Sequence, residues 1–205
     1  MASKQGMAVA LSELQGFTDA DERLEQYATD SDIAAELLWH AHMNGALDGK
    51  KVLDLGAGTG ILAVGAAVMG AREVVAVEKD EAAIEILKKN LLLFENTESV
   101  RVAEGDVKGF FEEGEVVVMN PPFGTKERHA DRVFLEKATS LAPIIYTIHK
   151  ATTKRFVHSF CTDAKLRITW EQNRSFPLKA SMRHHKQERK DIEVTLFRLE
   201  KVVSF

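Results

Sequence analysis

Three glycines at alternate positions join an apolar strand to an apolar helical run, and this junction restricts the fold more than any other stretch. The strand is 51–55, the glycines are Gly56, Gly58 and Gly60, and the helical run follows at once. Glycines in such a turn let the backbone approach a ligand closely and leave the helix N-terminus exposed. The dinucleotide fingerprint needs a third glycine where Ile61 stands, which disfavours a pyrophosphate cofactor. A ligand with a carboxylate, an amine and a nucleoside fits better.

Apolar strands alternate with helical runs along most of the chain. Five strands are predicted, at 51–55, 72–77, 100–103, 116–119 and 144–148. This alternation is typical of βαβ units, and therefore of a parallel sheet with helices on both faces. Two later runs, 166–170 and 192–196, alternate apolar and polar residues with no helical pattern between them. They predict an antiparallel pair that completes a mostly parallel, seven-stranded α/β sheet.

The length of 205 residues favours one domain that spans 1–205. Within it we expect a helical lead-in at 1–45 and a C-terminal strand pair with its connecting loop at 165–199. The single cysteine, Cys161, has no partner for an internal disulfide, which fits a reducing cytoplasm. We recognise no signal peptide and no apolar stretch long enough to span a bilayer, so a cytoplasmic protein is expected.

Acidic residues follow three successive strands. Asp54 ends the first strand, Glu78 ends the second, and Asp106 follows the third. Asp54 could contact an ammonium group, and Glu78 is well placed to bind two ribose hydroxyls. Asp106 could accept a hydrogen bond from an adenine amine while the backbone N–H of Val107 binds a ring nitrogen. A single acid at a strand end is usually just solvated, but three at the ligand-binding edge of an open α/β sheet indicate a site.

A rigid polar tetrapeptide, Asn120-Pro121-Pro122-Phe123, follows the apolar strand 116–119. The side-chain carbonyl of Asn120 and the backbone carbonyl of Pro121 can each accept a hydrogen bond from one N–H. The prolines fix φ and supply no competing N–H, and the aromatic ring offers a face on which a base can stack. The same residues are equally typical of a turn that ends a strand. Taken alone, the tetrapeptide leaves both interpretations open.

Charge is distributed unevenly along the sequence. The formal net charge is −4, yet residues 165–190 contain eight lysines and arginines against two glutamates, which leaves −10 for the remainder. A protein that coats nucleic acid indiscriminately is therefore not expected. An acidic body with one basic region predicts a localised contact with a polyanion.

Several motifs resemble those of a known family. The run from Asp54 to Gly60 resembles the first motif of Rossmann-like class I S-adenosylmethionine-dependent methyltransferases, and the tetrapeptide at 120–123 resembles the signature of amino-group methyltransferases that act on nucleic-acid bases. Four blocks resemble the methyltransferase-like family that makes N6-methyladenosine in small-subunit ribosomal RNA. They are Leu24-Glu25-Gln26-Tyr27, Asn120-Pro121-Pro122-Phe123-Gly124-Thr125-Lys126, Ile148-His149-Lys150 and Asp191-Ile192-Glu193-Val194.

The resemblance implies S-adenosylmethionine as the cofactor and an adenine held by residues 120–123. Together with the strand-end reasoning, it gives the expected cofactor-binding residues as Gln26, Thr29, Asp54, Gly56, Gly58, Thr59, Ile61, Glu78, Asp106 and Val107. The expected catalytic residues are Asn120, Pro121, Pro122 and Phe123. A flipped-out base implies RNA contacts from basic side chains. The candidates are Lys126, Lys150, Lys179, Arg183, Lys186, Arg189 and Lys190.

Two other substrates fit the same acceptors. They are the N2 amine of guanine in RNA and the amide of a protein glutamine. The glutamine-modifying family usually has tyrosine where this protein has Phe123, and it would not require a basic loop. No metal is needed for direct transfer. The resemblance also implies a small zinc-containing activator protein as a partner, since eukaryotic members of the family work with one.

Overall fold

The computed structural model describes residues 3–17, 29–122, 130–177 and 191–202. The α-helices in these ranges are α1 Lys4–Leu11, α2 Ser31–Met43, α3 Ile61–Val68, α4 Glu81–Leu91, α5 Ala130–Leu141 and α6 Lys154–Asp163. The strands are β1 Lys51–Leu55, β2 Glu73–Glu78, β3 Val100–Glu104, β4 Val116–Met119, β5 Ile144–Lys150, β6 Leu166–Pro177 and β7 Asp191–Lys201.

The seven strands form one sheet in the order β3-β2-β1-β4-β5-β7-β6. Strands β1 to β5 are parallel to one another, whereas β7 is antiparallel to both β5 and β6. The predicted seven-stranded, mostly parallel α/β sheet is therefore confirmed. The strand order reverses between β1 and β4, and open α/β sheets bind ligands in the crevice at such a point.

The C-terminal third contains more structure than the sequence patterns predict. Strands β6 and β7 have twelve and eleven residues, about twice the predicted runs. Helix α6 has no counterpart among the predicted elements, although its buried residues Val157, Phe160 and Cys161 are at helical spacing. Cys161 lies in this core, where burial raises the pKa of its thiol to about 11. The thiol is therefore neutral at physiological pH and packs as a small apolar side chain.

Helices cover both faces of the sheet. On one face α1, α2, α3 and α4 pack on the strands through residues such as Leu37, Leu38 and Leu87, all fully buried. On the other face α5 and α6 pack through residues such as Leu135 and Val157. Because both faces are buried, the two ends of the parallel strands remain for a binding site. We call the end at which these strands finish the carboxyl edge and the end at which they begin the amino edge.

Acidic caps fix where two of these helices begin. The side chain of Asp30 accepts hydrogen bonds from the backbone N–H groups of Asp32 and Ile33, at the start of α2. The side chain of Asp80 accepts from Ala83 at the start of α4. Such caps satisfy backbone donors that a helix leaves unpaired. Thr29 lies one residue before the Asp30 cap, and Glu78 lies two residues before the Asp80 cap.

Within the described part of the sequence, no helix has the length and apolar character to cross a membrane. The same residues contain no group of three or more side chains that could hold a metal ion.

Candidate cofactor and amine-acceptor site

The predicted strand-end residues meet at one edge of the sheet. Strands β1, β2, β3 and β4 are neighbours and run in the same direction, so their carboxyl ends lie together. Asp54 is opposite Ala76 of β2 and Val118 of β4, and Glu78 is the last residue of β2. Asn120 directly follows β4. The strand-end placement expected from the sequence is what the structure shows.

The glycine loop is formed by backbone geometry that other residues rarely adopt. Gly56, Gly58 and Gly60 have φ of 73°, 55° and 91°, in the left-handed region. The backbone N–H groups of Gly56 and Ala57 both donate to the carbonyl of Val77, at 2.9 and 3.0 Å. A Cβ on Gly56 would come within 2.9 Å of the Phe134 ring. Both conformation and space therefore require glycine here.

The carboxylate of Glu78 is held over this loop by three backbone donors. Its Oε2 accepts from the N–H of Gly58 at 2.7 Å, and its Oε1 accepts from Lys79 and Asp80 at 2.8 and 3.0 Å. A carboxylate oxygen has two acceptor sites, so the pair of oxygens keeps capacity for a further donor such as a hydroxyl. The carboxylate is therefore oriented before any ligand binds.

Asp54 is buried without a hydrogen-bond partner. It is 1% exposed, and neither carboxyl oxygen meets a donor among the described residues. Burial raises the pKa of Asp54 to about 8, and the charge of Glu78 acts in the same direction. The backbone N–H of Ala63 opposes this increase without reaching hydrogen-bond geometry. A buried, unpartnered carboxyl beside a glycine loop is typical of a functional site, and it fits the ammonium group of an amino-acid moiety.

Asp106 and Val107 follow β3, the third of the strands whose ends carry predicted cofactor residues. Asp106 is exposed, and its carboxylate accepts from the backbone N–H of Lys108 at 2.8 Å. Its other oxygen lies 3.8 Å from Nζ of Lys79. Val107 is 5% exposed and begins a short 3-10 turn. This turn places an exposed carboxylate next to a buried apolar residue, and their binding to an adenine stays a prediction.

Asn120 has one paired and one unpaired end. Its Nδ2 donates to Oγ1 of Thr29 at 2.9 Å. Its Oδ1 is buried and has no partner among the described residues. Pro121 beside it is buried, and Pro122 is half-buried. The structure thus joins Thr29, predicted to touch the cofactor, to the predicted amine acceptor.

The other predicted residues fall into three groups. Thr59 lies between the loop glycines and is 7% exposed, and Ile61 is the first residue of α3. Lys150 is the last residue of β5, at the same carboxyl edge. The rest lie outside the described residues: Gln26, Phe123, Lys126, Lys179, Arg183, Lys186, Arg189 and Lys190. The strands that flank the basic segment are described. Pairing of β7 with β5 ends at Lys150 opposite Val194, while β6 and β7 stay paired farther, to Pro177 opposite Asp191.

The antiparallel pair β6 and β7, here called the β6–β7 ribbon, therefore extends beyond β5 on the side where the parallel strands end. The basic segment 178–190 joins its two strands, so its attachment points lie on the same side of the sheet as Asp54 and Asn120.

Three residues next to the site are missed by sequence reasoning. The helical spacing of Phe134 assigns it to the core, but its ring also contacts Gly56. Phe17 contacts Gly58 in the same way, and no periodic pattern marks it. Asn90 is fully buried and donates to the carbonyl of Thr59 at 2.8 Å. A polar residue within the helical run 81–91 is the signal available for Asn90.

Comparison with known proteins agrees with this geometry. The model of the methyltransferase small domain family matches residues 27–142. The rRNA N6-adenosine methyltransferase METTL5 of Danio rerio is 34% identical, over 92% of this protein and 94% of its own length.

Two solved structures are also similar. The first is a "putative RNA methyltransferase" of Pyrococcus horikoshii, 38% identical, with a TM-score of 0.90 over 99% of this protein and 100% of its own length. The second is the magnesium protoporphyrin IX methyltransferase of Synechocystis with bound SAM, at 15% identity and a TM-score of 0.63 over 82% of this protein and 78% of its own length. The second likeness shows the fold alone.

Proposed function

The chain belongs to the methyltransferase small domain family, and from that premise we propose that it methylates the N6 amine of an adenine in RNA. It is an enzyme, and its cofactor is S-adenosylmethionine. The relatives that are most informative about the substrate are named for ribosomal RNA, and the sequence motifs resemble those of enzymes that modify the small subunit. Small-subunit ribosomal RNA is therefore the proposed substrate.

The unpaired carbonyl of Asn120 is the observation that carries the proposal. An exocyclic amine on an aromatic ring presents two N–H donors, so the enzyme needs acceptors at the place where the amine sits. Because Nδ2 of Asn120 is bonded to Thr29, its Oδ1 is the end left for such a donor. The backbone carbonyl of Pro121 is the proposed second acceptor, and Phe123 is the proposed stacking surface for the base.

The glycine loop and the three acids form the proposed cofactor half. When bound, S-adenosylmethionine supplies an electrophilic methyl group. Asp54 is proposed to bind the ammonium group, because its buried carboxyl has no partner among the described residues. Glu78 is proposed to accept from the ribose hydroxyls, since backbone donors already orient both of its oxygens.

The remaining proposed contacts are with other parts of the cofactor. Asp106 and Val107 would bind the adenine ring. Gln26, Thr29, Gly56, Gly58, Thr59 and Ile61 complete the set.

The chemistry follows from what the two acceptors do to the amine. Its lone pair is delocalised into the ring, which makes it a poor nucleophile. Hydrogen bonds from its N–H groups to Asn120 and Pro121 favour a tetrahedral nitrogen and stabilise the positive charge that develops there. Holding this nitrogen in line with the methyl group lowers the part of the activation barrier that comes from bringing the two reactants together. No strong base is required, since the methylated ammonium product is acidic and loses its proton to water.

RNA is proposed to reach the site along the β6–β7 ribbon. A base can enter such a pocket only after it leaves its stack, which requires the enzyme to hold the neighbouring phosphates. The ribbon extends past β5 at the carboxyl edge, and its connecting segment carries Lys179, Arg183, Lys186, Arg189 and Lys190. With Lys126 and Lys150 these side chains are the proposed phosphate contacts.

A protein partner is proposed from the resemblance. It is a small zinc-containing activator protein, and it would bind an apolar surface of this enzyme. Leu92 and Leu93, at the end of α4, are exposed side chains of the kind that partners cover. Co-expression with the activator should raise the melting temperature, and an unchanged melting temperature would remove this proposal.

A cytoplasmic location is proposed as well, from the single cysteine.

The experiment that tests the function uses cofactor labelled in the methyl group. The enzyme is incubated separately with small-subunit ribosomal RNA and with a peptide release factor. We expect label in the RNA alone, and digestion to nucleosides should yield N6-methyladenosine. N2-methylguanosine would instead identify the related guanine-modifying reaction. Label in the release factor alone would contradict the proposal and indicate a glutamine methyltransferase.

A further inference from the structure

A fully buried amide in the last turn of α4 links two parts of the protein that are far apart in sequence. Oδ1 of Asn90 accepts a hydrogen bond from the backbone N–H of Gln15 at 2.9 Å. Its Nδ2 donates to the carbonyl of Gln15 at 3.0 Å and to the carbonyl of Thr59 at 2.8 Å. Asn90 therefore pairs with both backbone groups of Gln15, as a neighbouring strand would, and also with the glycine loop.

These three partners fix both the residue type and its orientation. A backbone N–H can only donate and a backbone carbonyl can only accept, so the two ends of the amide cannot be exchanged. An aspartate at position 90 would lose both donors, and a leucine would lose all three bonds. At 0% exposure, water does not replace them without a change in structure. Among side chains of this length, asparagine alone offers one acceptor and two donors.

The backbone held by Asn90 leads directly to an aromatic ring on the glycine loop. Phe17 lies two residues after Gln15, and a Cβ added to Gly58 would come 3.3 Å from its ring. The N–H of the same Gly58 donates to Oε2 of Glu78. Phe17 thus contacts the part of the loop that orients the proposed ribose acceptor.

Apolar packing holds the segment before Phe17 only as far as Leu14. Helix α1 is fixed by Met7 and Leu11, which are buried. In contrast, Gln15 and residue 16, which immediately precede Phe17, are exposed. Leu14 packs half-buried on the core, and beyond it the hydrogen bonds of Asn90 to Gln15 are the contact that fixes the path of the backbone toward the ring.

We propose that Asn90 is a positioning residue for cofactor binding, which holds the backbone of 15–17 on the glycine loop so that the ring of Phe17 forms one wall of the S-adenosylmethionine site. Neither residue belongs to the set predicted from the sequence. The inference concerns the cofactor half of the site and does not depend on which substrate is methylated.

The test compares Asn90→Ala, Phe17→Ala and the double variant with the unmodified protein. Three quantities are measured: the Kd for S-adenosylmethionine by calorimetry, the melting temperature without cofactor, and hydrogen exchange at the N–H of Gln15. Each single variant should weaken cofactor binding by about tenfold, as expected for the loss of roughly one well-formed contact. The double variant should bind no more weakly than the weaker single variant, because Asn90 acts through Phe17. The N–H of Gln15 should exchange faster in Asn90→Ala.

Thr97→Val supplies a matched structural control. Thr97 is 7% exposed, lies just beyond the same helix, and donates from Oγ1 to the carbonyls of Leu91 and Phe94. Its loss should lower the melting temperature and leave the Kd unchanged. If Asn90→Ala behaves like Thr97→Val, or if the effects of the two site variants on Kd simply add, the inference is wrong.

An unchanged Kd in Phe17→Ala would overturn the inference even if Asn90→Ala did not fold. A failure of the proposed RNA activity would appear in the methylation assay and not in these binding measurements.

Discussion

The amino and carboxyl edges of the sheet contain the same strands but differ in whether they bury polar atoms without partners. At the amino edge, where the parallel strands begin, charged side chains are paired with one another. Nζ of Lys51 lies 2.7 Å from Glu112, Arg101 lies 2.7 Å from the same carboxylate, and Lys50 lies 3.0 Å from Glu115. At the carboxyl edge, Asp54 and Asn120 bury polar atoms that have no partner among the described residues.

This difference separates residues that hold the fold together from residues that await a ligand. A buried polar atom without a partner costs stability, and a fold keeps it only where something else supplies the missing bond. An exposed ion pair contributes little in either direction. Substitutions at the carboxyl edge should therefore change binding and catalysis, whereas those at the amino edge should change stability alone.

Asn120→Ala should have the largest effect of any single substitution. It removes the acceptor proposed to stabilise the developing charge, and loss of one such group typically lowers kcat by about 100-fold to 1,000-fold. Affinity for S-adenosylmethionine should remain close to that of the unmodified protein. The check is a methylation assay with RNA together with a calorimetric Kd.

Asn44→Ala is the control, since Asn44 is exposed and its amide donates to the carbonyl of His40 at the far end of α2. Loss of cofactor binding in Asn120→Ala, rather than loss of turnover, would contradict the role given to this residue.

Cofactor affinity should depend on pH through Asp54. Its pKa of about 8 means that the carboxyl is mostly neutral in the free protein near pH 7. If the ionised form binds the cofactor ammonium, affinity should rise by up to about tenfold per pH unit below 8 and stop rising above it, where the α-amino group of the cofactor begins to lose its own proton. Calorimetry between pH 6 and 9 measures this. Asp54→Asn should bind weakly with no such rise, and a pH profile that is the same in both proteins would contradict the assignment.

The same carboxyl should make the free protein less stable as the pH rises. The folded-state pKa is raised above the ordinary value of 3.8, so its effect on stability is absent below about pH 4 and is complete above about pH 8. Between these values the carboxyl is ionised in the unfolded state but still protonated in the folded state. The free energy of unfolding therefore falls by at most about 1.4 kcal/mol per pH unit. Asp54→Asn should therefore match the unmodified protein at pH 4 and melt at a higher temperature at pH 8. A lower melting temperature for the variant at pH 8 would contradict this account.

The sequence predicts the fold because the fold depends on periodic patterns. Short apolar runs alternating with helical runs require a parallel sheet, and its neighbouring strands bring Asp54, Glu78 and Asn120 to one edge. The exception is α6, whose three buried side chains lie among polar ones. Those three side chains, Val157, Phe160 and Cys161, nevertheless have the i, i+3, i+4 spacing of an amphipathic helix, so the sequence reasoning missed α6 although the pattern was there.

The contacts that shape the site cannot be predicted in the same way. Asn90 bonds with Gln15 across 75 positions, and Asn120 with Thr29 across 91. Each depends on how separate segments pack, which no local pattern encodes. The pKa of Asp54 is a similar case, because it follows from burial among residues distant in sequence. Residue types thus mark the candidates, and only the fold shows which of their atoms are paired.

The smallest effect is expected at the amino edge, from Glu115→Gln. Glu115 lies near Lys50 and Arg72, and its Oε2 accepts from the backbone N–H of Lys51 at 2.9 Å. Glutamine keeps an acceptor but loses the charge, so unfolding should become easier by no more than about 1 kcal/mol. The difference should vanish in about 1 M salt, where charges are screened within a few ångströms.

The hydrogen bond from Lys51 and the charge of Lys50 hold the pKa of Glu115 below its ordinary value of 4.5. Its contribution to stability is therefore present above that value and is lost as the pH falls through the lowered pKa. Denaturant unfolding at neutral and acidic pH, beside a cofactor Kd, measures both properties. If Glu115→Gln weakened cofactor binding, the two edges would be coupled, and the separation between stabilising and ligand-binding ends of the strands would not hold.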